Sequence, residues 1–239
     1  NNNNNNNNKK REIGNLQSSD FIGSSFFVNS IVMIVGFVFF SLERSNFTNN
    51  SIKTGLSVAS IYCLASGFFY NYIKDVWVST GEVPSVFRYI EWIITKPLQL
   101  MLPYFLLTST SKKVPLSIVW KLLAGIFLSL AGGYLGEAGY ITPILGIVGL
   151  IAGFVSVIYQ LFFGEAAKLA LTLPNILSKF SFLRIIIAIS YLIIGGAYYF
   201  GYLTGDFTAE SVNIGYNISD IFEKIIYGVI FWSSKTINK

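Results

Sequence analysis

Seven apolar runs, each close to the roughly 20 residues that a helix needs to cross the hydrocarbon of a bilayer, follow one another along this chain with short polar breaks between them. They read as spans A (Phe21 to Leu42), B (Leu56 to Tyr72), C (Phe87 to Leu107), D (Val114 to Tyr134), E (Ile141 to Phe163), F (Phe182 to Leu203) and G (Ile214 to Trp232). Only 12% of the residues are charged, about half the share in an ordinary soluble domain. The fold class that follows is an all-α membrane protein, a seven-transmembrane-helix bundle with no separate soluble domain and no repeat of fixed period. Its partner is the lipid bilayer, and its place is integral to a membrane, the cell membrane being the expected one.

Three segments are expected. Residues 1–19 form a disordered Asn-rich and basic tail, from Asn1 to Asn8 into Lys9, Lys10 and Arg11. Residues 20–233 hold the seven helices, and residues 234–239 are a cytoplasmic tail. The N-terminal tail does not read as a signal peptide, because the next apolar stretch is full length. Arg44, Lys53, Lys112, Lys113, Lys168, Lys179, Lys235 and Lys239 all fall in alternate connections or the C-terminal tail. The other connections carry Lys74 against Asp75, Glu82, Glu137, Asp206 and Glu210. By the positive-inside rule the first set is cytoplasmic and the N-terminus is outside, with Lys9, Lys10 and Arg11 outvoted by the internal loops.

The chain has no histidine, which removes Ser-His-Asp catalysis and most zinc or haem ligation. No enzyme is expected and no metal. The single cysteine, Cys63, lies in an apolar run and reads as a small buried hydrophobe. Basic residues are spread over the loops, so the net charge of +5 carries no nucleic-acid signal. Sequons at Asn46 and Asn217 read as chance matches, one on the cytoplasmic side and one at the start of a span.

Charge inside the spans needs a reason, since a lysine or aspartate at the centre of a membrane helix costs about 2.5 to 3.5 kcal/mol. Span G carries Asp220, Glu223 and Lys224 within ISDIFEKIIYGVIFW, and Asp220 and Lys224 share a face at i, i+4. Taken alone, that pair is as well read as structural as functional. Span C opens FRYIEWIITKP; at about 100 degrees per residue Arg88, Glu91, Thr95 and Leu102 share one stripe that must face the interior. With both spans running inward, two carboxylates and an arginine would surround one buried lysine. Such a lysine can condense with an aldehyde, and the charged product needs a carboxylate beside it.

At these residues the chain resembles the microbial rhodopsins of the proteorhodopsin type. RYIEWIITKP is similar to their helix C signature, and D-x-x-x-K before an apolar run to their retinal-lysine motif. DFIGSSFF at Asp20, YLGEAG at Tyr134, IYQLFFGEA at Ile158 and GYLTGD at Gly201 follow in family order. The resemblance implies that Lys224 binds all-trans retinal covalently as a Schiff base, that Glu91 is counterion and proton acceptor, and that Asp220 is a second counterion. It implies Arg88 at the outward exit, Thr95 near the Schiff base, Trp92 and Tyr191 as pocket walls, Gln99 as a mark of blue-green absorption, and a ring of five or six subunits.

Several positions depart from the family. Leu102 stands where pumping relatives carry a carboxylic proton donor, about 16 Å along the helix from Glu91. Phe69 replaces the histidine linked to the acceptor, so Glu91 is expected to lose a partner. Tyr191, Ile194 and Gly195 replace Trp, Tyr and Pro on span F, removing a kink. Lys96 falls off the central stripe, with a subunit contact or snorkelling as open as an ion path, and Glu223 points away from its neighbour Lys224, with a proton relay among its open roles. Tyr72, Trp77 and Trp232 read as interface anchors, Gly132, Gly133, Gly195 and Gly196 as close-packing positions, and Glu137 as a rim residue. The leading expectation is a light-driven outward proton pump. The alternatives are a photosensor, with a transducer as partner, or a light-gated channel, and behind both a seven-helix transporter without chromophore.

Overall fold

In the computed structural model of the protein, the described residues are 16, 20–82 and 85–234. The expected tails over 1–19 and 234–239, with Lys9, Lys10, Arg11, Lys235 and Lys239, lie outside them save for Leu16 and Ser234. The regular elements among the described residues are all helical: α1 (Phe21–Glu43), α2 (Asn50–Thr80), α3 (Ser85–Leu100), α4 (Leu102–Thr108), α5 (Ser117–Glu137), α6 (Pro143–Phe162), α7 (Glu165–Leu171), α8 (Pro174–Tyr198), α9 (Ala209–Ile221) and α10 (Tyr227–Trp232). Wide π-helical turns continue α8 over Tyr199–Leu203 and join α9 to α10 over Phe222–Ile226.

These elements make an all-α bundle of seven spans. A, B, D and F are α1, α2, α5 and α8; C is α3 with α4; E is α6 extended by α7; and G is α9, the π turn and α10. Five stretches are long and apolar enough to cross a membrane, namely Phe21–Asn46, Asn50–Thr80, Ser117–Glu137, Pro143–Leu171 and Pro174–Leu203, and the protein is an integral membrane protein. Spans C and G are not among the five because they carry the charges and are interrupted. Pro97 and Pro103 each remove a backbone N–H, and the helix breaks at Met101 between α3 and α4. Large apolar side chains such as Val35, Val155 and Leu192 are exposed on the outside, as lipid contact requires.

Local chemistry sets the ends. Asp20 caps α1 by accepting from Gly23 N at 2.8 Å, and Thr142 and Thr208 cap α6 and α9. Gly81, at φ +76°, closes α2 in the left-handed region that other residues avoid. Against expectation, Trp77 is buried, because its indole donates to Asp20 and so ties α2 to the start of α1. Tyr72 is exposed, as an interface anchor would be, and Trp232 donates to Glu43 at 2.7 Å.

The α5–α6 seam is glycine-lined: a Cβ on Gly132 would lie 2.7 Å from the Gly149 backbone. Gly195 and Gly196 do not pack in this way, for a Cβ on Gly196 would meet nothing within 4 Å. They border an apolar cavity of about 700 Å³ between α6 and α8. Without a proline at Gly195, α8 runs as unbroken α-helix from Pro174 to Tyr198.

Candidate functional site

The site forms where side chains of α3 and of the G span meet across the interior of the bundle. Among the described residues six charged side chains are buried: Arg88, Glu91 and Lys96 on α3, and Asp220, Glu223 and Lys224 on the G span. Three cations balance three carboxylates, the condition under which an apolar interior tolerates charge.

Lys224 is fully buried, and its Nζ lies 2.9 Å from Glu91 Oε1 and 2.7 Å from Asp220 Oδ2. It sits in the π turn, where its carbonyl accepts from the backbone N–H of Tyr227 and from Tyr62 OH, the latter at 2.9 Å. Glu91 accepts from Thr95 Oγ1 at 3.0 Å and from Ser66 Oγ in a close contact. Asp220 accepts from Tyr70 OH at 2.6 Å and from Trp92 Nε1 at 3.0 Å. Each carboxylate is therefore fixed in position by two side-chain donors as well as by the Lys224 amine.

Arg88 closes one end of the site. Its guanidinium donates to Asn213 at 3.0 Å, Asn217 at 2.8 Å and Tyr70 OH at 3.3 Å, and its Cζ lies 5.5–5.8 Å from the rings of Phe26, Tyr70, Trp92 and Tyr216. Beyond it Glu137 accepts from Ser85 at 2.6 Å, Tyr89 at 3.0 Å and Tyr216 at 3.3 Å, which makes it a clasp between three spans as well as a rim residue.

At the other end, Lys96 binds Glu223 in a close ion pair and lies 3.6 Å from Asp220 Oδ1, with the Trp92 ring centroid at 4.9 Å. Of the roles left open for Lys96, this sets aside the subunit contact and the snorkelling group, for it is buried in the interior. Gln99 Nε2 donates to the Glu223 carbonyl at 2.8 Å, within the same π turn. Lys96, Gln99, Leu100, Ile187, Tyr191, Glu223 and Tyr227 border a cleft of about 10 Å³. Tyr191 separates it from the larger α6–α8 cavity and stacks on Phe154 with ring centroids 3.9 Å apart. Leu102 is wholly buried in the apolar core.

All the sequence-derived candidates thus line one continuous site: Arg88, Glu91, Trp92, Thr95 and Gln99 on α3, Asp220 and Lys224 on the G span, and Tyr191 on α8. Ser66, Tyr70, Asn213 and Asn217 were not foreseen. A small polar residue in an apolar span was the available signal, and it is weak. Asn217 spends its amide on Ser25, at 2.8 Å, and its carbonyl on Arg88, which agrees with a chance sequon. Cys63 is buried and unbridged.

Residues 20–238 match the model of the family described as Bacteriorhodopsin-like protein. A blue-light absorbing proteorhodopsin of Gamma-proteobacterium Hot 75m4 is 36% identical over 225 residues, 92% of this chain and 88% of that one. A green-light absorbing proteorhodopsin of Gamma-proteobacterium EBAC31A08 is 35% identical over 224 residues, with the same coverage. Among solved structures, the blue light-absorbing proteorhodopsin from Med12 superposes with a TM-score of 0.77 at 32% identity, covering 92% of this chain and all of that one. With the family matched over nearly the whole length and the charged spans aligned in space, the chain belongs to the microbial (type 1) rhodopsins and is proteorhodopsin-like.

Proposed function

We propose that the protein is a retinal-binding, light-driven outward proton pump in which Lys224 carries the chromophore and Glu91 takes its proton. The observation that carries this reading is the fully buried Lys224 amine, 2.9 Å from one carboxylate and 2.7 Å from another. The residues fit retinal: a buried amine to bind it, two carboxylates to balance a charge on that nitrogen, and Trp92, Ile187, Tyr191, Gln99 and Tyr227 as a mainly apolar and aromatic lining. When bound as a Schiff base to Lys224, retinal supplies a light-driven isomerisation that changes the affinity and orientation of the Lys224 N–H.

The chain's own residues do the rest. Glu91 Oε1 is placed to accept the proton of Lys224 Nζ, and the Thr95 and Ser66 hydroxyls fix that oxygen in position. Tyr70 and Trp92 fix the Asp220 carboxylate beside Lys224, so a second carboxyl group remains in contact with that nitrogen after Glu91 is neutralised. Arg88, clamped by Asn213 and Asn217, stands between Glu91 and the end of the bundle that the loop charges place outside. The N-terminus is then extracellular, and residues 20–233 are the retinal-binding unit. The family likeness adds blue-green absorption through Gln99 and assembly as a ring of five or six subunits.

Adding all-trans retinal to the apoprotein is expected to give a visible band that Lys224→Ala abolishes; a band that survives this substitution overturns the attachment. Illuminated cells are expected to acidify their medium, with the effect lost on adding a protonophore and in Glu91→Gln. The buried Leu102, which cannot carry a proton, favours a second reading as a photosensor working through a transducer, or as a light-gated channel. Voltage clamp separates the channel: a pump current keeps one sign, whereas a channel current reverses with membrane potential.

A further inference from the structure

We propose that Lys96 is the internal proton donor that returns a proton to Lys224 Nζ, and that Glu223 is the residue that positions it. The proposal rests on the retinal-pump reading above. Neither residue is used by the acceptor side of the mechanism, and both are buried charges that the chain would not keep without a use.

The first argument is a charge count. Glu91, Asp220 and Glu223 are each paired with a cation, so the transferable protons of the resting interior sit on nitrogen. Arg88 does not release its proton in a protein. Lys224 gives its proton to Glu91. Lys96 is the one remaining buried group among the described residues that combines a positive charge with a nitrogen able to lose it.

The second is position. Glu91, Lys224, Asp220, Lys96 and Glu223 form an unbroken chain of alternating charge, and Lys96 meets it on the side of Lys224 away from Arg88, among Gln99, Leu100 and Tyr227. A donor there keeps entry and exit on opposite sides of the Lys224 nitrogen.

The third is drive. Lys96 Nζ lies 3.6 Å from Asp220 Oδ1, somewhat beyond hydrogen-bond reach. Once Lys224 is neutral, Asp220 has lost its nearest cation, and Lys96 becomes the charge it attracts most strongly. An N–H bond of Lys96 then breaks as the proton passes to the Asp220 carboxylate. The carboxyl group turns, its O–H bond breaks, and an N–H bond forms at Lys224. Asp220 ends ionised, as it began. Lys96 ends as a neutral amine beside the Glu223 carboxylate, which favours its regaining a proton from water at the Leu102 end. One proton has entered while Glu91 has released one.

The test follows the visible band of the full-length, retinal-loaded protein in lipid vesicles after a flash. In Lys96→Met and in Lys96→Arg, the early proton loss from Lys224 is expected to remain, while its return slows about 10²-fold, the scale on which a positioned proton donor acts. Sodium azide, which supplies a small diffusible acid, is expected to restore the return in Lys96→Met, which a merely structural defect would not allow. Glu223→Gln is expected to slow the return less and to respond to azide in the same way. Should Lys96→Met alone form no band, Lys96→Met/Glu223→Gln keeps the interior charge-balanced and carries the same expectation. A native rate in Lys96→Arg, or a slow Lys96→Met that azide leaves slow, overturns the donor role. If the native protein forms no band with retinal, the pump reading falls and the donor with it; a native band whose recovery ignores Lys96 sinks the donor alone.

Discussion

At the scale of single residues, Glu91 is better held than its own span suggests. The stripe of Arg88, Glu91, Thr95 and Leu102 is legible because helical geometry places residues seven and eleven apart near one face. The loss of a histidine partner at Phe69 is also legible, but its replacement is not. Ser66, one turn earlier on α2, donates to Glu91, and no local rule links a serine to a glutamate 25 residues away. Lys96 stays ambiguous in the sequence for a related reason: its backbone angle is off the stripe, but its four-carbon stem reaches Glu223 and the neighbourhood of Asp220. Ser66→Ala should therefore leave Glu91 with Thr95 as its hydroxyl donor and cost about 1.5 to 3 kcal/mol, the worth of a hydrogen bond to a charged group. Thermal loss of the visible band checks this; a midpoint equal to that of the native protein would show the Ser66 contact to be idle.

At the scale of elements, the G span carries Glu223 and Lys224 on a turn the sequence does not announce. Apolar periodicity finds the span, but it cannot tell an α turn from the π turn at Phe222–Ile226, because both keep a continuous helix. Within this turn the side chains of Gln99 and Tyr62 donate to the carbonyls of Glu223 and Lys224 and so tie the turn to α3 and α2. Tyr62→Phe leaves the Lys224 carbonyl buried without that donor and is expected to destabilise the protein by about 1 to 3 kcal/mol, read as a lower thermal midpoint with the Lys224 attachment intact. The α5–α6 seam gives a paired test of the glycines. Gly132→Ala sets a methyl 2.7 Å from the Gly149 backbone, which cannot swing aside, and should cost about 1 to 3 kcal/mol. Gly196→Ala meets nothing within 4 Å and should be neutral or stabilise by about 0.5 to 1 kcal/mol through lower chain entropy. Equal midpoints for the two variants would show that the seam is looser than its backbone distances.

At the scale of the whole molecule, direction is the property that matters, and it comes from two independent asymmetries. One is internal: Arg88 with its asparagines lies at one end of the buried charges, and Lys96 with Glu223 at the other. The other is peripheral: the turns and helix ends carrying Arg44, Lys53, Lys112, Lys113, Lys168 and Lys179 alternate with those carrying Lys74 against Asp75, Glu82, Asp206 and Glu210. The order of the helices ties these asymmetries together, because α2 must deliver the chain to the start of α3, three residues before Arg88, from the acidic side. If positive loops stay inside, Arg88 faces out and light must acidify the medium. A tag on the N-terminus of right-side-out cells should then be open to an external protease, and the same cells should acidify on illumination. Were the chain inserted the other way, the tag would be protected and the medium would turn alkaline. A protected tag together with acidification would break the link between Arg88 and the exit, and the proton would have to leave past Lys96.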